Sequence, residues 1–440
     1  MWLWSLLGCW CAPLVVDSEH PDVVLVIVDT LRQDRMGFAG YTRPTTPHLD
    51  AFTDQAAWFS RAFAASSWTL PSTATLFTGV NPSVHRVVRD YRDPDLYGSL
   101  EDTHVTLAEH YKARGYRTAA FINNAFMAPE FNLHQGFDVY DYEGAGLTDH
   151  RTAAVTFQAG LDWLAADDRP ALLVLHVMEP HADYQIAPPF AGTFTTGMPR
   201  KREVPLGDEL VTRMILNQVV PPDADKAYLS AAYDEEILQV DHALGALFDG
   251  LQARKAWDHT VLALTSDHGE EFWEWGRYEH GHTLHSVVTQ VPLLLRAPGL
   301  QPGPNATTVG HPDLFEALTA NTGALVDAAR TGTTLPGRTV VSEDILYGPQ
   351  AIGLVTDARR LTITIPPDGS QKVARLYALD ERGWEAQELS HDPAYRDEAI
   401  AYARELEALR GSLDPVAAAA TTAIPTPETF DKLRALGYTE

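Results

Sequence analysis

Val23-Val24-Leu25-Val26-Ile27-Val28 is an apolar run with no polar position inside it, a pattern that predicts a strand covered on both faces. Runs of the same character recur at 118–122, 171–177, 260–265 and 291–295, with helical stretches between them. Strands alternating with helices predict an α/β fold built on a doubly wound, mostly parallel sheet. The clearest helix lies within 228–251, where Tyr233, Ile237, Val240, Leu244, Leu247 and Leu251 recur at spacings of four and three on one face. Stretches 181–225 and 299–304 carry prolines and read as excursions from the core, the first placed to line a substrate cleft. Beyond Leu335-Pro336-Gly337 the apolar runs shorten (339–341, 352–355, 361–365) and a helical stretch follows at 396–413, predicting a small C-terminal α+β subdomain. Residues 415–425 read as a linker and 427–436 as a short docking helix. The expected boundaries are therefore 1–20 for an export segment, 21–335 for a catalytic domain, 336–414 for the subdomain, and 415–440 for the linker with its helix.

Residues 1–16 form an apolar stretch that stops at Asp17, Glu19 and His20. It is shorter than the roughly 20 residues a membrane-spanning helix needs, so it predicts a processed export segment. Leu6-Leu7-Gly8-Cys9 resembles the lipobox of bacterial lipoproteins, which makes Cys9 an expected lipid anchor and places the protein outside the cytoplasm, periplasmic or tethered to a membrane. Cys9 and Cys11 are the only cysteines, so the rest of the chain forms no disulfide. The formal net charge of −26, from 33 Lys+Arg against 59 Asp+Glu, excludes nucleic acid as a main partner. The same field repels an anionic small substrate, so a site for one needs local positive charge, most simply a metal ion.

In open α/β sheets ligands sit beyond the carboxyl ends of the strands. There the sequence offers Asp29 after the first run and Asp267-His268-Gly269 after the 260–265 run, while Thr69 precedes a helix expected to begin near Pro71. Carboxylates, an imidazole and a hydroxyl make a four-ligand set for one divalent cation: oxygen ligands suit Ca, Mg or Mn, and His268 equally admits Zn. The Thr69 hydroxyl is also suited to cap its helix. Glu270, Glu271, Glu274 and Glu279 read as a solvated helix face and cap. His280 and His282 flank Gly281 and face the same side of an extended segment.

Four motifs then carry a resemblance: Val28-Asp29-Thr30-Leu31-Arg32 with Asp34; Thr46-Pro47-His48-Leu49-Asp50; Thr69-Leu70-Pro71-Ser72-Thr73 running on to Gly79; and Thr265-Ser266-Asp267-His268-Gly269-Glu270. With Gly136-Phe137-Asp138, Glu179-Pro180-His181 and His280-Gly281-His282 in the same order, the chain resembles the sulfatase branch of the alkaline phosphatase superfamily over about residues 21–395. The resemblance implies Asp29, Asp267 and His268 as metal ligands, and Thr69 at the nucleophile position, its oxygen also touching the metal. It implies His280 as the group that binds the anion or protonates the leaving oxygen, with His85 and His181 facing substrate. Asn123 and Asn124 stand where many sulfatases carry a Lys and a His, and Asn123 and His282 are expected among the substrate-binding residues. Sulfatases use formylglycine made from a Cys or Ser in a Cys/Ser-x-Pro-x-Arg context; here Thr69 and Thr73 occupy those two positions. What remains is similar to the Thr-nucleophile members, the nucleotide pyrophosphatase/phosphodiesterases and the lipoteichoic acid synthases. The expectation is a metal-dependent hydrolase or transferase cleaving phosphate or sulfate esters of small, glycan-linked or lipid-linked substrates through Thr69. A sulfuric ester hydrolase lacking formylglycine and a metal-binding pseudoenzyme that recognises sulfated or phosphorylated glycans are the alternatives.

Overall fold

The computed structural model describes residues 20–90, 96–143, 151–200, 204, 206–366, 371–411 and 421–435. The expected export segment with Cys9, and most of the expected 415–425 linker, lie outside the described residues. The Val23–Val28 strand sits in an eight-stranded sheet of order Gly303–Gly310, Ala57–Phe63, Leu293–Arg296, Val261–Thr265, Val23–Val28, Ala171–Val177, Arg117–Ile122, Val139–Tyr142. All neighbours pair parallel except Leu293–Arg296, which is antiparallel to both of its partners. The doubly wound, mostly parallel α/β architecture is thus present.

Why the central run carries no polar residue is visible in its packing. Val23, Leu25 and Ile27 face one apolar layer and Val24, Val26 and Val28 the other, all at most 1% exposed. The first layer is closed by the Thr69–Thr78, Leu107–Lys112, His311–Ala320 and Ala324–Thr331 helices through Leu70, Phe77, Tyr111, Leu314 and Leu325. The second is closed by Pro47–Phe52, Ala153–Ala165 and Asp223–Gln252 through Phe52, Phe157, Tyr233, Ile237 and Leu244. Each such side chain removed from water contributes roughly 1.5–3 kcal/mol before entropy is counted. The long helix is the one expected at 228–251, extended by a turn at its start.

Three strands of this sheet were not legible, one of them the edge strand Val139–Tyr142, which carries Asp141 between two tyrosines. Ala57–Phe63 carries Ser60 and Arg61 amid its apolar residues. Gly303–Gly310, partly inside an expected excursion, is a polar edge strand that pairs parallel to it with a bulge between Asn305 and Thr308. An edge strand needs only one paired side, so glycine and proline are tolerated there. The C-terminal subdomain is a five-stranded antiparallel sheet of order Val340–Glu343, Gln350–Val355, Arg359–Ile365, Val373–Leu379, Glu385–Glu388, covered by the Arg396–Arg410 helix through Leu406. The Pro427–Ala435 helix docks on the large α/β body with Leu433 buried and the Thr429 hydroxyl donating to Glu130 at 2.6 Å. No helix among the described residues is long and apolar enough to cross a membrane.

Candidate metal centre and active site

Val23–Val28, Ala171–Val177, Arg117–Ile122 and Val261–Thr265 run parallel, so the residues that follow them meet on one edge of the sheet. Asp29 extends the ladder with its N–H on the Val177 carbonyl at 3.0 Å. The chain then turns sharply at Thr30, a left-handed residue with φ of 53°. That conformation costs a non-glycine residue about 1–2 kcal/mol. Hydrogen bonds hold it: Thr30 N–H donates to Asp267 Oδ1 (3.2 Å), and the Tyr233 hydroxyl donates to the Thr30 carbonyl (2.7 Å) while accepting from Arg32 N–H (3.0 Å).

One ligand atom each from Asp29, Asp267 and His268 lie within 4.8 Å of one another, and all three residues are fully buried. His268 Nδ1 lies 3.0 Å from the Gly269 carbonyl, which can only accept, so Nδ1 donates there and Nε2 is the ring atom turned to the cluster. That Nε2 is 3.2 Å from Thr69 Oγ1, 3.3 Å from Asp267 Oδ2 and 3.8 Å from Asp29 Oδ1. Asp29 Oδ1 and Asp267 Oδ2 have no hydrogen-bond donor among the described residues. Burial, and then the charge of Asp29, push the Asp267 carboxyl up to about 6. For Asp29 burial pushes upward too, but His176, His181 and His268 outweigh it and hold the carboxyl below its ordinary value. Lone pairs facing one another in a dry pocket repel unless a cation sits between them, so this donor set fits a divalent ion.

Asn124 borders the cluster. Its Oδ1 accepts from Phe126 N–H at 2.8 Å, which directs Nδ2 to Asp29 Oδ2 at 2.7 Å and leaves it 3.5 Å from Thr69 Oγ1. His176 projects from its strand to bring Nε2 within 3.4 Å of Asp29 Oδ2, without the alignment of a hydrogen bond. The His280 ring lies 4.2 Å from that of His268 and 5.0 Å from that of His181, forming a ladder of imidazoles beside the cluster. His280 Nδ1 meets Glu270 Oε1 at 3.2 Å, and burial and then the adjacent imidazoles hold its pKa well below the usual value. His282 stacks on Tyr347 at 4.7 Å, and burial lowers it to about 3.

The structure corrects several expectations. His85 lies outside the cluster: its Nε2 is 3.1 Å from Thr75 Oγ1 and its Nδ1 accepts from Val87 N–H at 3.0 Å, so both ring nitrogens are used in packing against the Thr69–Thr78 helix. Asn123 turns away from the site, donating to Thr156 Oγ1 at 2.9 Å and to the His176 carbonyl while accepting from Arg151 Nε at 3.0 Å; its neighbour Asn124 takes the position instead. The helix starts at Thr69 itself with Trp68 as its N-cap, and the Thr69 hydroxyl does no capping. Glu270, Glu271 and Glu279 are buried in and around a short hairpin, Glu271–Phe272 with Tyr278–Glu279, and are no solvated helix face. Sequence reasoning passed over Thr30, whose buried hydroxyl has no partner among the described residues, and His176. A histidine inside an otherwise unbroken buried strand was the signal for the latter, since burying an imidazole costs free energy.

With this geometry in hand, comparison with known proteins gives a consistent result. An ulvan-active sulfatase from Formosa agariphila is 26% identical over 355 residues, covering 71% of this chain and 65% of its own length, so the chain spans about two thirds of that relative. An N-acetylgalactosamine-6-O-sulfatase from Bacteroides thetaiotaomicron is 23% identical, covering 69% of this chain and 73% of its own. Among solved structures the phosphonate monoester hydrolase of Agrobacterium radiobacter shares the fold with a TM-score of 0.70 at 20% identity, over 89% of this chain and 95% of that one. The family model described as Sulfatase matches residues 21–324, the span that holds every group of the cluster, and the chain therefore belongs to the sulfatase family.

Proposed function

We propose that this protein is a metal-dependent ester hydrolase that cleaves a phosphate or sulfate ester through Thr69. The observation that carries the reading is the placement of Thr69 Oγ1, 3.2 Å from His268 Nε2, in the same buried cluster as the unpartnered oxygens of Asp29 and Asp267. Asp29, Asp267, His268 and Thr69 would hold one divalent ion, which when bound supplies positive charge at the transferred group and lowers the pKa of a hydroxyl beside it.

The chain's own groups divide the remaining work. Thr69 Oγ attacks phosphorus or sulfur, forming one ester bond as the bond to the leaving alkoxide breaks in line, and the proton Oγ gives up ends on the departing alcohol. Asn124 Nδ2, poised between Asp29 and Thr69, can donate to an oxygen of the transferred group. His280, oriented at Nδ1 by Glu270, is placed to donate a hydrogen bond to the departing alcohol oxygen. Water then displaces Thr69 Oγ, releasing the acid and restoring the hydroxyl. His181 and His280 stand beside the cluster, but neither the Lys at 123–124 nor the Arg at 73 of a formylglycine sulfatase is present, so much of the anion's charge falls to the bound ion.

Side-by-side turnover of aryl sulfate, aryl phosphate and aryl phosphodiester, with and without chelator, tests the reading. Turnover lost on chelation and in Thr69→Ala is expected. Turnover surviving Thr69→Ala removes the nucleophile assignment, and full metal occupancy with no turnover of any ester favours a binding module. For residues 1–16 we extend the proposal to export with a lipid on Cys9. Labelling with a palmitate analogue that persists in Cys9→Ala would refute the anchor.

A further inference from the structure

The nucleophile and the imidazoles it works with hang from one turn of the C-terminal subdomain. Ser342 Oγ donates to the Ala64 carbonyl (2.7 Å), Glu343 N–H to the Ala65 carbonyl (2.7 Å), and Ser66 Oγ to the Asp344 carbonyl (3.0 Å). Asp344 itself is left-handed with φ of 68° and buried, and its Oδ2 accepts from the indole Nε1–H of Trp68 at 3.0 Å. Trp68 is fully buried against Phe126 and is the residue whose backbone delivers Thr69 into the first turn of its helix. On the other side, Gly281 N–H donates to the Ser67 carbonyl (2.9 Å), and the Gly281 carbonyl accepts from Leu346 N–H (2.9 Å) and Tyr347 N–H (2.8 Å). The segment before Thr69, the His280–His282 loop and residues 342–347 are therefore one hydrogen-bonded unit.

We propose that Asp344 is a positioning residue that acts through Trp68 to set where the Thr69 hydroxyl stands relative to Asp29, Asp267 and His268. The inference rests on the proposed role of Thr69. It gives the C-terminal sheet a function in the site, since the strand that ends at Glu343 carries the carboxylate to the indole. The conformation of Asp344 is that of a residue held by its surroundings, and the indole N–H is a buried donor with that carboxylate as its acceptor. Removing the acceptor frees Trp68 to rotate and takes Thr69 with it.

The test is a double-mutant cycle on full-length protein, read by calorimetric titration with Mn²⁺, with hydrogen exchange of the peptide spanning 65–78 as a readout that needs neither metal nor turnover. Asp344→Ala and Trp68→Phe are expected to weaken Mn²⁺ binding about tenfold, the scale of lost outer-shell support at metal sites, and to speed exchange at 65–78 while the Val23–Val28 strand stays protected. Asp344→Asn keeps an acceptor oxygen and should restore both. In a Thr69→Ala background Asp344→Ala should weaken Mn²⁺ binding no further, because its effect passes through the missing hydroxyl. Additive losses in that background, or unchanged affinity and exchange in folded Asp344→Ala, would overturn the inference. Wild type that binds no divalent ion overturns the proposed function instead, and the exchange comparison still decides the role of Asp344.

Discussion

Asp267→Asn should make the metal-free protein more stable and the metal-loaded protein less so. Folding raises the Asp267 carboxyl from 3.8 to about 6, by burial first and the charge of Asp29 second. A carboxyl with a raised folded pKa binds more protons folded than unfolded, so stability falls as pH climbs from about 4 to about 6 and the full cost stands above that. At about 1.4 kcal/mol per pH unit the ionised group costs about 3 kcal/mol at pH 8. Asparagine is neutral there, and its Oδ1 can still accept from Thr30 N–H and His268 N–H while its amide replaces the unpartnered Oδ2. At about 2.1 cal/mol/K of unfolding entropy per residue, 440 residues convert about 3 kcal/mol into a rise in Tm of about 3 °C. In wild type, cation at a thousandfold excess over Kd returns about 4 kcal/mol, and the variant, short of one ligand charge, forgoes most of it. Thermal denaturation at pH 8 in EDTA and in Mn²⁺ should therefore rank the two proteins in opposite orders. A variant that melts below wild type in EDTA, or that gains as much from Mn²⁺, would show that the buried carboxylates are not held apart for a cation.

Tyr233→Phe strands the Thr30 carbonyl and Arg32 N–H in a dry interior, an expected loss of about 3 kcal/mol, with a Mn²⁺ titration showing weakened binding because the turn after Asp29 loosens. Gly281→Ala places a Cβ 3.0 Å from Leu346 Cβ at a φ of 76°; about 1–2 kcal/mol of destabilisation is expected by denaturant titration, with a larger proportional fall in turnover as His280 and His282 shift. Burial raises Glu271 and Asp344 each to about 7, so with Asp267 the metal-free protein should lose stability as pH rises from about 4 to 7; a Tm in EDTA that is higher at pH 8 than at pH 5.5 would contradict this sign. Arg32→Lys gives up the paired contact to both oxygens of Asp34 and the reach to Glu274 and the Glu270 carbonyl, and should cost about 3 kcal/mol in the same denaturation assay.

Much of the architecture was legible from local chemistry alone. An unbroken run such as Val23–Val28 can be satisfied only between two apolar layers, and parallel strands with helices between them force their carboxyl ends to one edge. That is why Asp29, Asp267 and His268, far apart in sequence, could be read as neighbours. Gly303–Gly310 was not legible because a polar edge strand owes its state to the strand it pairs with and not to its own composition, and Ala57–Phe63 was not because Ser60 and Arg61 interrupt its apolar run. Side-chain direction was equally hidden. Asn123 and Asn124 are adjacent and chemically identical, and only the turn in which Asn124 accepts from Phe126 N–H points one at the cluster and the other at Thr156. Solvent exclusion was hidden too: Glu270, Glu271 and Glu279 lie in a chain segment acidic enough to promise water contact, yet the surrounding packing buries all three. The sequence by itself determined which strands are central and which ligand types gather beyond them, since both follow from short-range pattern. Only the tertiary structure decided which side chains face the cluster, which are dry, and that the C-terminal sheet reaches the segment before Thr69, because these depend on contacts such as Trp68 with Asp344 that no local rule encodes.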